Sequence, residues 1–435
     1  MSEKQLSLKD VSLFFFPLLL NVQLMSVSHS IINAGLARQA DYITALAGFS
    51  VAMVLHLFLA SPSYQNHTVT IAMARGSKSL RGVFIFVLLV ASYVSIMLSL
   101  VAFTPFGTFL IGKVMGVSDR ISEEARRVLS ILVFLPFATG LRGLAQGLVI
   151  RARRTGLVSI ATGIRVVGLI LYLFLGQRWF SGASIGAFAL LACVTTETIV
   201  IGFFSWRIYQ PVEEGEERTI AEILRYAFPL AYSSCLQQTI PLLINAIISR
   251  LPDAPQALAA FGIIRGFLFL LAGPMRNLQQ AYLTLVRNIA DNRTIYRFFL
   301  RVAGGMAFIM LLIAIPLNGL VLGTVMGLDD TMRSYITWPL IVCAVYPFFY
   351  GMTNLLRGIF AGAHRTGMLG RSTIAKSCFM LAVWGTTVYV TVPISGIFFA
   401  IFLLLCAESV ELLYLQRQKR QLTSSGLLAP VPKSA

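Results

Sequence analysis

The residues with most scope for chemistry are cations placed inside apolar stretches: Arg142, Arg165, Arg265, Arg276, Arg357 and Lys376. Each would cost about 2.5–3.5 kcal/mol at the centre of a bilayer, so each calls for a reason. Within the same stretches Glu197 and Glu408 are the acids that stand against them, leaving a net basic interior. Arg265 and Arg276 are eleven residues apart, three turns of a straight helix, which would put both on one face about 16 Å apart. His56 and His67 repeat that spacing earlier in the chain. A column of guanidinium groups suits bidentate binding of carboxylate or phosphate, and a column of imidazoles adds proton-accepting groups. The competing readings are an arginine snorkelling to an interface and buried pairing of Arg142 and Arg357 with the two glutamates. Amides add to the set. Asn33, Asn245, Gln237 and Gln238 must face protein or water, either lining a solute path or bonding between helices. The expected solute-binding set is therefore Arg265, Arg276, His56, Asn33, Asn245, Gln238, Arg142, Arg357 and Lys376.

No catalytic triad, phosphate loop or zinc motif accompanies these residues, and no enzyme activity, metal or cofactor is expected. Cys193, Cys235, Cys343, Cys378 and Cys406 stand singly in apolar stretches and read as small buried fillers.

The elements that must position this set are membrane helices. Hydrophobic residues make up 57% of the 435-residue chain and charged residues only 12%, with a mean hydropathy of +0.79. Soluble domains carry roughly twice that charge. Breaking the sequence at Gly, Pro and charge clusters gives twelve spans: 11–36, 42–72, 82–112, 127–150, 157–176, 183–206, 221–249, 256–286, 300–323, 335–362, 368–390 and 394–416. Each is long enough to cross about 30 Å of hydrocarbon. The first is too long, and too polar at its end, for a cleaved signal peptide.

The net charge of +17 sits in alternate short loops, among them Arg75, Lys78 and Arg81; Arg151, Arg153 and Arg154; Arg287, Arg293 and Arg297; Arg365 and Arg371. That pattern sets topology rather than binding nucleic acid. It predicts a multi-pass protein of the cell (inner) membrane with both termini cytoplasmic. The expected domains are 1–208, an acidic linker over 209–220 (Glu213, Glu214, Glu216, Glu217), 221–417, and a disordered tail over 418–435.

Sliding the chain by 211 or 212 residues aligns its halves. Phe16-Pro17-Leu18 falls on Phe228-Pro229-Leu230, and Ile32-Asn33-Ala34 on Ile244-Asn245-Ala246. Further on, Gly147 falls on Gly358, Arg154-Thr155-Gly156 on Arg365-Thr366-Gly367, Arg165 on Lys376 and Glu197 on Glu408. The steady spacing marks an internal repeat. Six spans per half keep the halves parallel, the design of a secondary transporter with a central cleft. Pro17, Pro62, Pro136, Pro229, Pro274 and Pro347 are the expected bend points. The Arg-Thr-Gly segments read as helix ends closed by glycine.

In detail the spans resemble the progressive ankylosis protein family, within the multidrug/oligosaccharidyl-lipid/polysaccharide exporter superfamily. The resemblance rests on Pro229-Leu230-Ala231, Gln237, Pro241, Asn245 and Ser249-Arg250 in span seven. Pro17-Leu18, Asn33 and Gly35 in span one, Pro347, Arg357 and Gly362 in span ten, Lys376, and Glu408-Ser409 extend it. It implies an all-α fold and efflux of small anions, with citrate, nucleoside triphosphate and pyrophosphate as candidates. Arg165 departs from the pattern where the family carries an acid. The expected partners are thus a small anionic solute and membrane lipid, with the protein a monomer. A cation-coupled multidrug exporter or a lipid-linked sugar flippase of the same superfamily remain the alternatives.

Overall fold

The computed structural model describes residues 6–36, 38–39, 41–115, 118–209, 217–248, 250–251, 253–326, 328–389 and 395–424. Among the described residues all regular structure is helical. The first half holds α1 (Leu8–Leu36), α2 (Tyr42–Leu59), α3 (Asn66–Met73), α4 (Ser77–Phe103), α5 (Pro105–Thr108), α6 (Asp119–Leu132), α7 (Leu135–Arg151), α8 (Thr155–Gly176) and α9 (Ser184–Ile208). The second holds α10 (Ile220–Ile248), α11 (Ala254–Leu271), α12 (Asn277–Leu285), α13 (Ile289–Ala314), α14 (Asp330–Val342), α15 (Tyr346–Gly362), α16 (Thr366–Tyr389) and α17 (Gly396–Ser424).

Among the described residues seven segments are long and apolar enough to cross as single spans, α14 and α15 counting together as one, and three bent pairs make three more. The helices α10 and α16, of 29 and 24 residues, complete twelve spans. Polarity runs opposite to that of a soluble helix. On α8, Val167, Leu171 and Phe174 are 72%, 55% and 62% exposed while Arg165 is buried. Such an apolar outer surface is stable only against lipid.

The repeat is visible in the backbone. α2 and α3 meet at a 57° bend through a 3₁₀ turn containing Pro62, and α11 and α12 meet at 50° through Gly273–Arg276 with Pro274. π-helical segments recur at Phe109–Val114 and Gly319–Val325. Pro136 and Pro347 sit in the first turns of α7 and α15. By contrast, α1 and α10 continue through Pro17 and Pro229 without a break in the helix, because neighbouring helices re-satisfy a freed backbone group in a membrane.

One expected detail is corrected. Gly156 and Gly367 do not close helices; they lie in the first turns of α8 and α16. Closure falls to Arg153 (φ 59°) and His364 (φ 55°), among the described residues the non-glycine ones with left-handed backbone, themselves related by the repeat. In each case the next N–H reaches back five residues, Arg154 to the Val149 carbonyl at 3.1 Å and Arg365 to the Phe360 carbonyl at 2.8 Å. Those bonds satisfy carbonyls that would otherwise be orphaned at the helix end.

The chain divides into two compact units. One is Phe16–Cys235; the other comprises the described residues of Met1–Phe15 and Leu236–Ala435. The dividing points fall inside α1 and α10, not in the acidic segment. Residues 210–216 of that segment lie outside the described residues. Its end, Glu217, accepts hydrogen bonds from the Ser79 hydroxyl (2.8 Å) and from the N–H groups of Ser79 (2.7 Å) and Lys78 (3.2 Å) at the start of α4. The Ser79 hydroxyl does most to hold the Glu217 carboxyl below the usual carboxylate range. At the other end, α17 is helical to Ser424, so the expected tail is helix over 418–424, and 425–435 lie outside the described residues.

Each unit has its own core. The first buries Ile32, Phe49, Leu98, Leu129, Leu132 and Leu169. The second buries Ile244, Phe261, Ile264, Met310, Leu340 and Ile401. Within them helices touch at repeat-related glycines. A Cβ on Gly147 would sit 2.5 Å from the Thr70 Cβ and 2.9 Å from the His67 carbonyl; one on Gly358 would sit 2.7 Å from the Tyr282 Cβ. We expect Gly147→Ala and Gly358→Ala each to cost about 1–3 kcal/mol through overpacking. Gly156→Ala, where nothing lies within 4 Å, is expected to be neutral or slightly stabilising. Thermal unfolding of the three purified variants decides this; equal melting temperatures would remove the close-approach argument.

Candidate substrate site

In the second unit, Arg265 and Arg276 line one cavity of about 180 Å³. The straight-helix geometry expected for them does not hold. Arg265 is on α11, whereas Arg276 ends the 3₁₀ turn beyond the bend. The bend at Pro274, rather than helical periodicity, brings both guanidinium groups to the same cavity. α10 contributes Pro241 to the wall, α17 contributes Leu404, and α15 contributes Tyr346 and Tyr350, whose rings stack at 5.5 Å. Among the described residues no carboxylate lines the cavity, and neither arginine makes an ion pair. Both side chains are exposed to it. Two uncompensated cations beside two phenols form a concave surface suited to an anion's oxygens.

Arg142, Arg357 and Lys376 lie elsewhere, in buried ion-pair clusters, one per unit. In the first unit Glu197, wholly buried, accepts from Arg142 Nη1 at 2.8 Å and Arg165 Nη1 at 3.3 Å. Gln146 Nε2 adds a contact at 3.4 Å. The Thr162 hydroxyl sits between Glu197 (2.7 Å) and the Asn21 amide (2.5 Å). In the second unit the repeat-related positions carry Arg357 for Gln146, Thr373 for Thr162, Lys376 for Arg165 and Glu408 for Glu197. Here a further acid, Glu411, joins. It accepts from Arg357 Nε at 2.8 Å and lies 3.3 Å from Lys376 Nζ, which also binds Glu408. Arg357 Nη2 reaches the Thr373 hydroxyl at 2.8 Å, and the Gln237 amide oxygen accepts from Nη1 at 3.1 Å.

This second cluster is neutral where the first carries one excess cation. With Glu411 buried beside Glu408, the interior is less basic than expected. The signal was present: Glu408 and Glu411 are three apart, on one face of α17.

The remaining expected residues are not among those that line the cavity. Gln238 and Asn245 are half-buried on α10, whose Gln237 and Pro241 make the contacts described above. Asn33 is exposed on α1, and His56 is buried on α2, both in the first unit. Near the start of α11, Asp253 accepts from the Tyr335 hydroxyl, the Ser395 hydroxyl and the Gly396 N–H (2.9 Å). Burial pushes its carboxyl up, but these donors outweigh burial and leave it below the usual range. It is a structural anchor that sequence reasoning passed over. Among the described residues no cluster of His, Cys, Asp and Glu has the makings of a metal site.

The profile of the progressive ankylosis proteins (ANKH) matches residues 8–253. The chain belongs to that family. As a progressive ankylosis family member it has the fold of transporters of the MOP superfamily. One structure of similar fold is a MOP superfamily transporter from Pyrococcus furiosus, described as having a binding pocket of reverse polarity; it is 14% identical, with a TM-score of 0.71 and 96% of each chain covered. Another is a multidrug resistance MATE family transporter in an outward-facing conformation, 15% identical at a TM-score of 0.69, covering 95% of this chain and 96% of that one. The eukaryotic MATE transporter AtDTX14 is 14% identical at 0.67, with 94% of each chain covered. No curated protein matches the sequence. The family match covers the Glu197 cluster and stops at Asp253, so Pro241 of the cavity wall in this progressive ankylosis protein falls within it, whereas Arg265 and Arg276 lie beyond it.

Proposed function

We propose that this protein is a secondary transporter that exports a small anionic solute, of carboxylate or phosphate type, by alternating access of its two six-helix halves. The observation that carries the reading is the cavity with Arg265 and Arg276 and no carboxylate. A cationic drug would meet repulsion there. A cavity of about 180 Å³ is also below the roughly 300–1,000 Å³ typical of pockets for drug-sized ligands. Family membership supports transport, and the Pyrococcus furiosus transporter, whose pocket of reverse polarity suggests a different function, supports a change of function within one fold.

The MATE-type fold favours a second reading, a cation-coupled multidrug exporter. Proteoliposome uptake separates the two. Labelled citrate, ATP and pyrophosphate are offered beside a cationic dye. Saturable uptake of at least one anion, without dye uptake, is the expected result; dye uptake without anion uptake would sink the proposal in favour of the multidrug reading.

A further inference from the structure

We propose that the groove where α13, α15 and α17 meet in the second unit is a binding site for the headgroup of an anionic phospholipid. The site is separate from the Arg265–Arg276 cavity and independent of the transport reading. Its volume is about 760 Å³. Four cations border it: Arg293 and Arg297 from the first turns of α13, and Lys419 and Arg420 from the last turns of α17. Among the described residues no carboxylate lines it, and the side chains of Arg293, Arg297 and Arg420 make no ion pair. Arg293 and Arg297 are one turn apart on the same face, an arrangement of like charges that weakens a helix unless an anion sits between them.

The floor is apolar. Met352, Leu355, Leu356 and Ile359 of α15 supply it, with Leu355 and Leu356 nearly wholly buried. Tyr296 stands among the cations, and Leu300 and Phe308 continue along α13 as exposed apolar side chains within about 80° of each other around the helix. Cations at a span's end, an aromatic beside them and an apolar track leading away match a phosphodiester headgroup with its acyl chains. A free anion would use the cations and leave the track without a role. Burial of aliphatic groups along that track adds to the affinity of a lipid and nothing to that of a soluble headgroup.

The test uses the purified full chain in neutral detergent, its melting temperature followed against phosphatidylglycerol, phosphatidylcholine or glycerol phosphate. Phosphatidylglycerol is expected to raise Tm saturably, and the other two are not. Near a surface each basic residue contributes about fivefold in affinity for anionic lipid, so R420Q shifts half-saturation about fivefold and R293Q/R297Q/R420Q about a hundredfold. Met352→Trp fills the apolar floor and weakens the effect with all four cations kept. Arg225→Gln, an exposed arginine of the other unit, leaves it unchanged. An equal Tm rise with phosphatidylcholine overturns the proposal, as does a triple variant that saturates like the native chain. A matching rise with glycerol phosphate would show a free-anion site instead.

Discussion

Arg265→Ala and Arg276→Ala are each expected to raise the KM for the transported anion about 10- to 100-fold while leaving the protein folded. The magnitude follows from losing a charge-assisted hydrogen-bond donor, about 1.5–3 kcal/mol. The sparing of stability follows from the structure: neither guanidinium makes an ion pair among the described residues, and both face the cavity rather than the core. Lysine at either position keeps the charge but loses the bidentate fork, so R265K and R276K fall between alanine and the native chain. The Tyr346 and Tyr350 phenols, which complete the wall, make smaller contributions as neutral donors. Initial-rate uptake in proteoliposomes measures all of these. Anion transport that survives both alanine variants unchanged would move the site elsewhere while leaving the transport function in place.

The second large effect concerns stability. Removing one partner from a buried ion pair strands the other, at a cost of about 3–5 kcal/mol. Glu197→Gln leaves Arg142 and Arg165 without a carboxylate in the first unit. Glu411→Gln is less severe, because Glu408 still compensates Lys376, and Thr373 and Gln237 still hold Arg357. The ranking is therefore Glu197→Gln well below Glu411→Gln, and both below the native chain, in melting temperature. Adding Arg165→Met to Glu197→Gln removes one stranded charge and recovers part of the loss. If Glu197→Gln melts like the native protein, these clusters are not what fasten α7, α8 and α9 together.

The clusters also show where a sequence stops being readable. That Arg142, Arg357 and Lys376 lie inside spans follows from hydropathy alone. Their employment does not, since a cation beside a solute and a cation beside a glutamate have the same local sequence. The repeat offers the finer clue: Thr162 and Thr373, Gln146 and Arg357 stand at equivalent positions, yet only the packed units show that each touches its cluster. Glu411 is the instructive omission. One turn from Glu408, it neutralises a site that otherwise reads as basic.

By itself, the sequence determined the twelve spans, their division into two related sets of six, and the prolines at which α2–α3 and α11–α12 bend. These follow from properties local in the chain: apolar runs of bilayer length, a fixed repeat offset, and a residue that cannot donate to its helix. Only the tertiary structure decided which cations remain without a partner. That choice depends on the rotation and bend of each helix against its neighbours. Those are set by contacts such as Gly147 on Thr70 and Gly358 on Tyr282, and by the 50° turn that carries Arg276 to the cavity of Arg265. Close packing fixes these angles between residues far apart in sequence, where no local pattern records them.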